Sequence, residues 1–283
     1  MNDKRFLLAS IQAAIEAGDA ILQVYHSSNF NIEEKADRSP LTLADRRSHD
    51  VIMKHLSAFD IPILSEEGQG VPYPKRKNWD TFWLIDPLDG TKEFIKKNGE
   101  FTVNIAMIRD HKPVAGVIFV PDRDILYFAS KALGSFRADF SLISDLVNRR
   151  RPDDSGSRQI EEILTGIINQ SAQLPVEDST ERPFVIAGSR SHSTPELEAF
   201  VEEKRREYGE VEFISAGSSL KLCLVAEGRA DIYPRTGPTM EWDTAAGQAI
   251  VEISGGKVYQ YDTTEPLNYN KENLLNPWFV VIR

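Results

Sequence analysis

Three apolar segments lie between Glu100 and Ser130, and they constrain the fold of this chain more than any other feature. They are separated by two polar turns, RDHKP and PDRD, and they read EFTVNIAMI, PVAGVIFV and DILYFAS. Short apolar runs that are rich in β-branched and aromatic residues and bounded by turn residues are typical of β-strands. We therefore predict successive antiparallel strands here. Two further buried strands, IPILSEE and TFWLID, precede them.

Two amphipathic helices are predicted to pack on this sheet, because apolar residues recur at helical spacing before the strands. In the first helix these residues are Leu7, Ile11, Ala14, Ile15, Gly18, Ile21, Leu22 and Tyr25. The second helix is predicted to begin near Thr42 and to carry on one face Val51, Ile52, His55, Leu56 and Phe59.

The second half of the chain alternates between strand and helix patterns. The segment IEEILTGIINQ has helical spacing and is predicted to be peripheral, while RRRPDDSGSR is predicted to be a loop. Beyond Pro183 the order is PFVIAGS, PELEAFVEEKRREYG, VEFIS, SLKLCLVAEG, ADIY, DTAAGQAIVEIS and KVYQY. Such alternation is typical of a layered α/β unit. We predict an α+β metal-binding domain over 1–182, with a poorly defined insertion at 139–182, an α/β domain over 183–283, and an active site between them.

Composition narrows the range of partners and compartments. The 283 residues have a formal net charge of -10, which opposes binding to the phosphate backbone of a polymeric nucleic acid. The single cysteine, Cys223, rules out an internal disulfide and a cysteine-based zinc cluster, and its apolar helical surroundings predict buried packing. Charged residues interrupt the N-terminal pattern, so we expect no signal peptide, no transmembrane segment and a cytoplasmic location.

Acidic residues gather at three places where strands are predicted to end or helices to begin: ILSEEG, LIDPLDGT and MEWDTAAG. Buried carboxylates are costly unless they are paired or bound to a cation, and Mg²⁺ prefers oxygen ligands. Asp86 and Asp89 are three residues apart on a turn that contains Pro87, so both can face one point. Taken singly, each segment has another interpretation: DPLDG as a surface turn, SEEG as a solvated acidic turn, and Asp243 as a helix N-cap.

The combination of DPLDGTKEF with WDTAAG, and with SEE upstream, resembles the paired signatures of the inositol monophosphatase superfamily. The resemblance implies a layered αβαβα sandwich and a lithium-sensitive phosphatase that uses two or three Mg²⁺ ions. By motif, the implied metal ligands are Glu66, Asp86, the Leu88 carbonyl, Asp89 and Asp243, with Glu67 a less secure match. Asp45 in SPLTLAD and Thr91 are implied as the pair that orients and activates the attacking water.

Within the superfamily, the chain is similar to bacterial 3'(2'),5'-bisphosphate nucleotidases in GSSLKLCLVAEGRADIYPRTGPTMEWDTAAG and LLNPWF. This similarity implies hydrolysis of adenosine 3',5'-bisphosphate to AMP and phosphate, and it also allows a peripheral association with the inner membrane. The alternatives are an inositol or sugar monophosphatase on the same fold and a non-catalytic metal- or nucleotide-binding protein. The expected substrate-binding residues are Glu66, Leu88, Asp89, Gly90, Thr91, Ser189, Arg190, Lys221, Arg235 and Asp243. A substrate with two phosphate groups needs a second anion clamp, which Lys221 and Arg235 would provide unless Lys221 is a helix-surface lysine. The oligomeric state is not predicted.

Overall fold

A computed structural model describes residues 2–27, 30, 32–34, 40–147, 157–176, 182–189 and 194–283. Its helices are α1 Asn2–Tyr25, α2 Leu43–Leu56, α3 Tyr73–Arg76, α4 Thr91–Ile95, α5 Phe140–Val147, α6 Ser157–Asn169, α7 Pro195–Tyr208, α8 Leu220–Glu227 and α9 Glu241–Ile253. Its strands are β1 Glu33–Glu34, β2 Pro40–Leu41, β3 Ile63–Ser65, β4 Thr81–Asp89, β5 Thr102–Arg109, β6 Lys112–Val120, β7 Ile125–Ser130, β8 Gly134–Asp139, β9 Ala172–Gln173, β10 Phe184–Gly188, β11 Val211–Ser215, β12 Ile232–Arg235, β13 Lys257–Gln260 and β14 Phe279–Ile282.

The first large sheet has seven strands in the order β3-β4-β5-β6-β7-β8-β9. Neighbouring strands from β4 to β9 are antiparallel, which confirms the prediction for β5, β6 and β7, while β3 runs parallel to β4. The pairing of β4 with β5 is regular up to Asp86, which lies opposite Asn104, and then shifts before Asp89. This irregularity lies between the two acidic residues, Asp86 and Asp89, where a bulge changes the direction of the side chains.

The second large sheet has five strands in the order β11-β10-β12-β14-β13. Strand β10 is parallel to β11 and β12, whereas β14 is antiparallel to β12 and β13. Helices α8 and α9 lie between the two large sheets, and α9 contacts β4 to β8 of the first one. At Gly116 in β6 an added Cβ would lie 2.4 Å from the carbonyl oxygen of Ala246, so the close approach of α9 requires glycine there.

The layers therefore run α1 and α2, first sheet, α8 and α9, second sheet, α7. This is the expected αβαβα sandwich, and its interior is divided between the two faces of the first sheet. One core joins that sheet to α1 and α2, and the other joins it to α8, α9 and the second sheet. Helix α7 covers the outer face of the second sheet through Phe200 and Val201. The predicted division into domains at residue 182 stays a prediction.

Helix α1 is long and apolar enough to cross a membrane by length and composition alone. However, 78% of its apolar window is buried inside the molecule, and the core helix of a soluble protein passes the same test. Its apolar face packs against α2 and β6, so that face is not available to a lipid surface. The expected peripheral association with a membrane is therefore not supported.

Helix α6 corrects one prediction from the sequence. It was predicted to be peripheral, but its apolar residues belong to the core that contains α1: Ile160, Ile163, Leu164 and Ile167. The same 139–182 segment also contains α5 and β9, so much of the predicted insertion is ordered structure. The predicted RRRPDDSGSR loop lies mostly at 148–156, outside the described residues.

Candidate active site

The acidic turn at the end of β4 is fixed by its own backbone and by α2. Asp86 is 1% exposed, and its Oδ1 accepts a hydrogen bond of 3.1 Å from the amide of Leu88. The Ser48 hydroxyl of α2 donates to the Pro87 carbonyl over 2.6 Å. Gly90 then adopts a φ of 91°, which glycine tolerates best, and α4 begins at the next residue. The turn therefore presents its carboxylates from a rigid position.

Asp45 and Thr91 come together although 46 residues separate them in the chain. The Thr91 hydroxyl is 3.2 Å from Oδ1 of Asp45 and 3.5 Å from the Leu88 carbonyl oxygen. The other carboxylate oxygen of Asp45 accepts from the amide and the hydroxyl of Thr42, the N-cap of α2, over 2.8 and 2.6 Å. A capping box thus orients Asp45 toward Thr91. The pair has the geometry to hold a water molecule and receive its proton.

The acidic residues from the three sequence segments influence one another electrostatically. Burial raises the pKa of Asp86 well above its usual value, and Glu66, Asp89 and Asp243 raise it further. Burial also raises the pKa of Asp243, with Asp89 the largest contribution among the neighbouring charges. Glu66 reaches the group because β3 runs parallel to β4 and ends beside it. Two carboxylates whose ionisation is disfavoured by burial and by neighbouring acidic charges mark a place where a cation would be bound.

The chemistry of this donor set fits a hard divalent cation. The side chains offer only carboxylate oxygens, and the Leu88 carbonyl adds a neutral oxygen, which is the ligand type that Mg²⁺ prefers. Among the described residues, no three or more His, Cys, Asp or Glu side chains already form a closed metal-binding group. The residues that would hold a bound cation are Glu66, Asp86, the Leu88 carbonyl, Asp89 and Asp243.

Two polar residues that were not predicted from the sequence connect the halves of this acidic group. The Ser219 hydroxyl lies 2.7 Å from Oδ2 of Asp89 and 2.9 Å from the carbonyl oxygen of Asp243. The Asn104 amide nitrogen donates to the Ser219 oxygen over 2.8 Å and lies 3.4 Å from the same Oδ2. The polar Asn104 within an apolar strand segment is a signal that could have been used.

A cleft with a volume of about 150 Å³ opens beside the acidic turn. Its lining brings together residues from both halves of the chain: Asp89, Gly90, Lys92, Glu93, Ser189, Gly217, Ser218, Ser219, Lys221, Leu222, Tyr233, Arg235, Thr239, Asp243, Thr244 and Phe279. Of the predicted substrate-binding residues, Arg190 lies outside the described residues. Glu66, Leu88 and Thr91 are not among the residues that line this cleft, although they surround the adjoining turn.

Lys221 is not a helix-surface lysine, because it is only 5% exposed. Its ammonium donates to the carbonyls of Ala216 and Ser218 over 3.2 and 2.7 Å. Burial lowers its pKa to about 8, while the negative charge of Asp89 acts in the opposite direction. Arg235 donates from one terminal nitrogen to the Pro238 carbonyl over 2.9 Å, and within the described part of the chain its buried Nε has no hydrogen-bond partner.

Other candidate residues have structural environments. Cys223 is buried in α8, as predicted, and burial raises the pKa of its thiol well above the usual value. Glu67 is partly exposed on the turn that follows β3. Asp243 is the third residue of α9 and accepts from the amide of Met240 over 2.8 Å, so it contributes to capping while it faces the cleft. The N-cap of α9 is Met240, so the prediction of Asp243 as the N-cap residue is wrong, and the capping contact that Asp243 makes is compatible with metal binding.

Comparison with known proteins places this geometry in a family. The profile of the inositol monophosphatase family matches residues 2–278. The chain is 42% identical to the 3'(2'),5'-bisphosphate nucleotidase CysQ of Escherichia coli O6:H1, covering 95% of this chain and 96% of that protein. It is 33% identical to the protein of the same name from Haemophilus influenzae, covering 92% of this chain and 87% of that protein.

Solved structures agree with the sequence relatives. The crystal structure of CysQ from Bacteroides thetaiotaomicron is similar with a TM-score of 0.84 at 48% identity, covering 98% of this chain and 96% of that one. An inositol monophosphatase from Anabaena has a TM-score of 0.65 at 25% identity, covering 100% and 92%. The chain therefore belongs to the inositol monophosphatase family, whose members generally use Mg²⁺.

Proposed function

We propose that this chain is a 3'(2'),5'-bisphosphate nucleotidase, a phosphatase that hydrolyses adenosine 3',5'-bisphosphate to AMP and phosphate. Relatives with this activity in their names match it over nearly their whole length, at 42% identity for the Escherichia coli protein. The similarity of this chain to the crystal structure of CysQ from Bacteroides thetaiotaomicron also supports the proposal. Within the family, the choice of substrate depends on what the cleft offers to a second phosphate.

The observation that carries this choice is the pair of cations in the cleft. Lys221 and Arg235 line the same space as Asp89 and Asp243, so a substrate held at the acidic group also meets two positive charges. The buried Nε of Arg235 is a donor that a phosphate oxygen can satisfy. A monophosphate held at the acidic group would bring no second phosphate to these cations. The cleft therefore favours a substrate that carries a second phosphate or a comparable anion.

The proposed catalytic residues are Asp45 and Thr91. Their 3.2 Å contact places a hydroxyl beside a buried carboxylate, and together they would orient a water molecule and accept its proton. We propose that Glu66, Asp86, Leu88, Asp89 and Asp243 bind two or three Mg²⁺ ions and that Li⁺ inhibits the enzyme. When bound, Mg²⁺ supplies positive charge that stabilises the phosphate group and the leaving alkoxide. We further propose that the reaction takes place in the cytoplasm.

The test of substrate choice compares kcat/KM for adenosine 3',5'-bisphosphate, a mononucleotide and inositol 1-phosphate. Wild-type enzyme should prefer the bisphosphate. Lys221→Ala and Arg235→Ala should lower kcat/KM for the bisphosphate by about tenfold to a hundredfold, the loss expected for one charge-assisted contact of roughly 1.5–3 kcal/mol. Hydrolysis of inositol 1-phosphate should change far less.

Arg109→Ala is a matched control, since Arg109 is a partly exposed arginine that pairs with Asp3 away from the cleft. Equal losses for all three substrates in the Lys221 and Arg235 variants would show that these residues only support the structure. A wild-type preference for inositol 1-phosphate would replace the proposed function with that of an inositol monophosphatase. Undiminished activity after exhaustive chelation would exclude the metal-dependent reaction.

A further inference from the structure

The two carboxylate oxygens of Asp89 differ in their hydrogen bonds. Among the described residues, both side-chain hydrogen bonds to this carboxylate reach Oδ2: 2.7 Å from the Ser219 hydroxyl and 3.4 Å from the Asn104 amide nitrogen. Asp89 itself lines the cleft. One oxygen is therefore engaged by the protein, and Oδ1 is left for a ligand that enters from the cleft.

The direction of these hydrogen bonds follows from donor counting. The Asn104 amide donates to the Ser219 oxygen over 2.8 Å, so the single hydroxyl hydrogen of Ser219 is free to point elsewhere. Its two candidate acceptors are Oδ2 of Asp89 at 2.7 Å and the Asp243 carbonyl at 2.9 Å. The carboxylate oxygen is the nearer of the two acceptors, and hydrogen bonds to carboxylates are shorter and stronger than those to neutral carbonyls.

The arrangement is rigid because both donors are buried. Ser219 and Asn104 are each 1% exposed, and Ser219 is the N-cap residue of α8 while Asn104 lies in the middle of β5. Strand β5 also pairs with β4 beside the acidic turn. Water cannot readily replace either donor, so Asp89 is held by two elements from different halves of the chain.

We infer that Ser219, supported by Asn104, is a positioning residue that restricts Asp89 to one-oxygen coordination and thereby favours Mg²⁺ over Ca²⁺ at this site. The inference rests on the proposed metal dependence. Mg²⁺ requires near-octahedral geometry with few protein carboxylates, whereas Ca²⁺ accepts a larger coordination number and readily takes both oxygens of one carboxylate. A hydrogen bond that occupies Oδ2 opposes coordination of a cation through both carboxylate oxygens. It still allows coordination through Oδ1 alone.

The test is calorimetric titration of metal-stripped full-length protein with MgCl₂ and, separately, with CaCl₂. In Ser219→Ala the ratio of the Ca²⁺ Kd to the Mg²⁺ Kd should fall by about tenfold, the effect of losing one hydrogen bond to a charged group. Ser219→Thr keeps the hydroxyl and should retain the wild-type ratio. Ser219→Cys preserves most of the buried volume with a weak donor, and should lower the ratio even if the alanine variant folds poorly.

Ser135→Ala is the matched control. Ser135 is also buried, at 2% exposed, and its hydroxyl donates over 3.0 Å to the carbonyl of Ile250 in α9, away from the acidic group. This control should leave the ratio unchanged even if it lowers stability. A folded Ser219→Ala or Ser219→Cys protein with the wild-type ratio would overturn the inference while the metal proposal stands. If wild-type protein binds neither Mg²⁺ nor Ca²⁺, both this inference and the proposed metal dependence are overturned.

Discussion

At the scale of single residues, Asp86 has the most demanding environment in the acidic group. It is 1% exposed, whereas Glu66, Asp89 and Asp243 retain partial exposure. A buried carboxylate without a cation is unfavourable, and its raised pKa expresses that cost. Its position is nevertheless fixed by the strand pairing of β4 and by the amide of Leu88, so the protein maintains an arrangement that a bound cation would stabilise.

We expect Asp86→Asn to be the most damaging substitution in this group. The amide retains the size of the side chain but removes the negative charge, so kcat/KM should fall by about 10³-fold or more, corresponding to roughly 4 kcal/mol of lost transition-state stabilisation. The measurement is phosphate release at several Mg²⁺ concentrations, with Asp89→Asn and Glu66→Gln for comparison. Near-normal turnover in Asp86→Asn at saturating Mg²⁺ would contradict this role.

The Asp45–Thr91 pair should behave differently from the metal ligands. Because their assigned role is to orient and deprotonate water, Thr91→Ala and Asp45→Asn should lower kcat by about 10²–10⁴-fold while Mg²⁺ affinity changes little. Thr91→Ser keeps the hydroxyl and should restore much of the rate. Calorimetry provides the contrast: if Mg²⁺ affinity is lost but kcat at saturating metal is normal, the residues serve the metal and not the water.

At the scale of elements, local signals in the sequence predicted much of the fold. The periodicity of α1 and α2, the start of α2 next to Thr42 and the strands β5 to β7 are all present, because each depends on neighbouring residues. The acidic turn was also predictable from its spacing. By contrast, β9 and β14 are short strands that pair with segments distant in the sequence, which a local pattern does not contain.

The main features of the site that were not predicted from the sequence depend on contacts between residues far apart in the chain. Ser219 contacts Asp89 across 130 residues, and no local pattern connects the two. Lys221 was recognised as a candidate cation, yet its burial follows from the packing of α8 between the sheets. The periodicity of α6 correctly predicted a helix, but the predicted peripheral position was wrong. An apolar periodicity identifies the buried face of a helix and does not identify the surface that packs against it.

The packing of α6 gives a prediction at this scale. Ile167 is fully buried in the core that contains α1, so Ile167→Ala should lower the free energy of unfolding by about 2–5 kcal/mol. Specific activity per folded molecule should remain close to wild type, because the residue is absent from the cleft lining. Chemical denaturation with parallel activity assays measures both quantities, and Glu162→Ala on the exposed side of the same helix is the control. A loss of less than about 0.5 kcal/mol, typical of a surface site, would indicate that α6 is loosely attached.

At the scale of the whole molecule, the acidic group combines residues beside the first large sheet with residues of the helical layer that lies between the two large sheets. Residues 45–91 supply Asp45, Glu66, Asp86 and Asp89, while α8 and α9 supply Ser219, Lys221 and Asp243. Repulsion among the carboxylates opposes the packing of residues 45–91 against α8 and α9. The hydrogen bonds of Ser219 and the core around α9 stabilise this packing. Cation binding is therefore expected to be coupled to the stability of the entire fold.

The pKa directions of Asp86 and Asp243 give the sign of this coupling. Both values are raised in the folded protein, so between the ordinary value of 3.8 and the raised values the folded state holds protons that the unfolded state has released. Their contribution to the free energy of unfolding therefore falls as pH increases through the raised values. Without a divalent cation, these two groups should destabilise the protein more at pH 8 than at pH 5.5.

Mg²⁺ should reverse this loss, since it binds the ionised carboxylates of the folded state and stabilises it by about 2.7 kcal/mol at a hundredfold excess over Kd. We expect the Mg²⁺-induced rise in Tm to be larger at pH 8 than at pH 5.5, measured against NaCl of equal ionic strength. Asp86→Asn should reduce the rise at pH 8, and its metal-free form should be more stable than metal-free wild type because a buried charge has been removed. An equal Mg²⁺-induced rise at both pH values, in wild type and variant alike, would mean that the cation binds elsewhere on the protein.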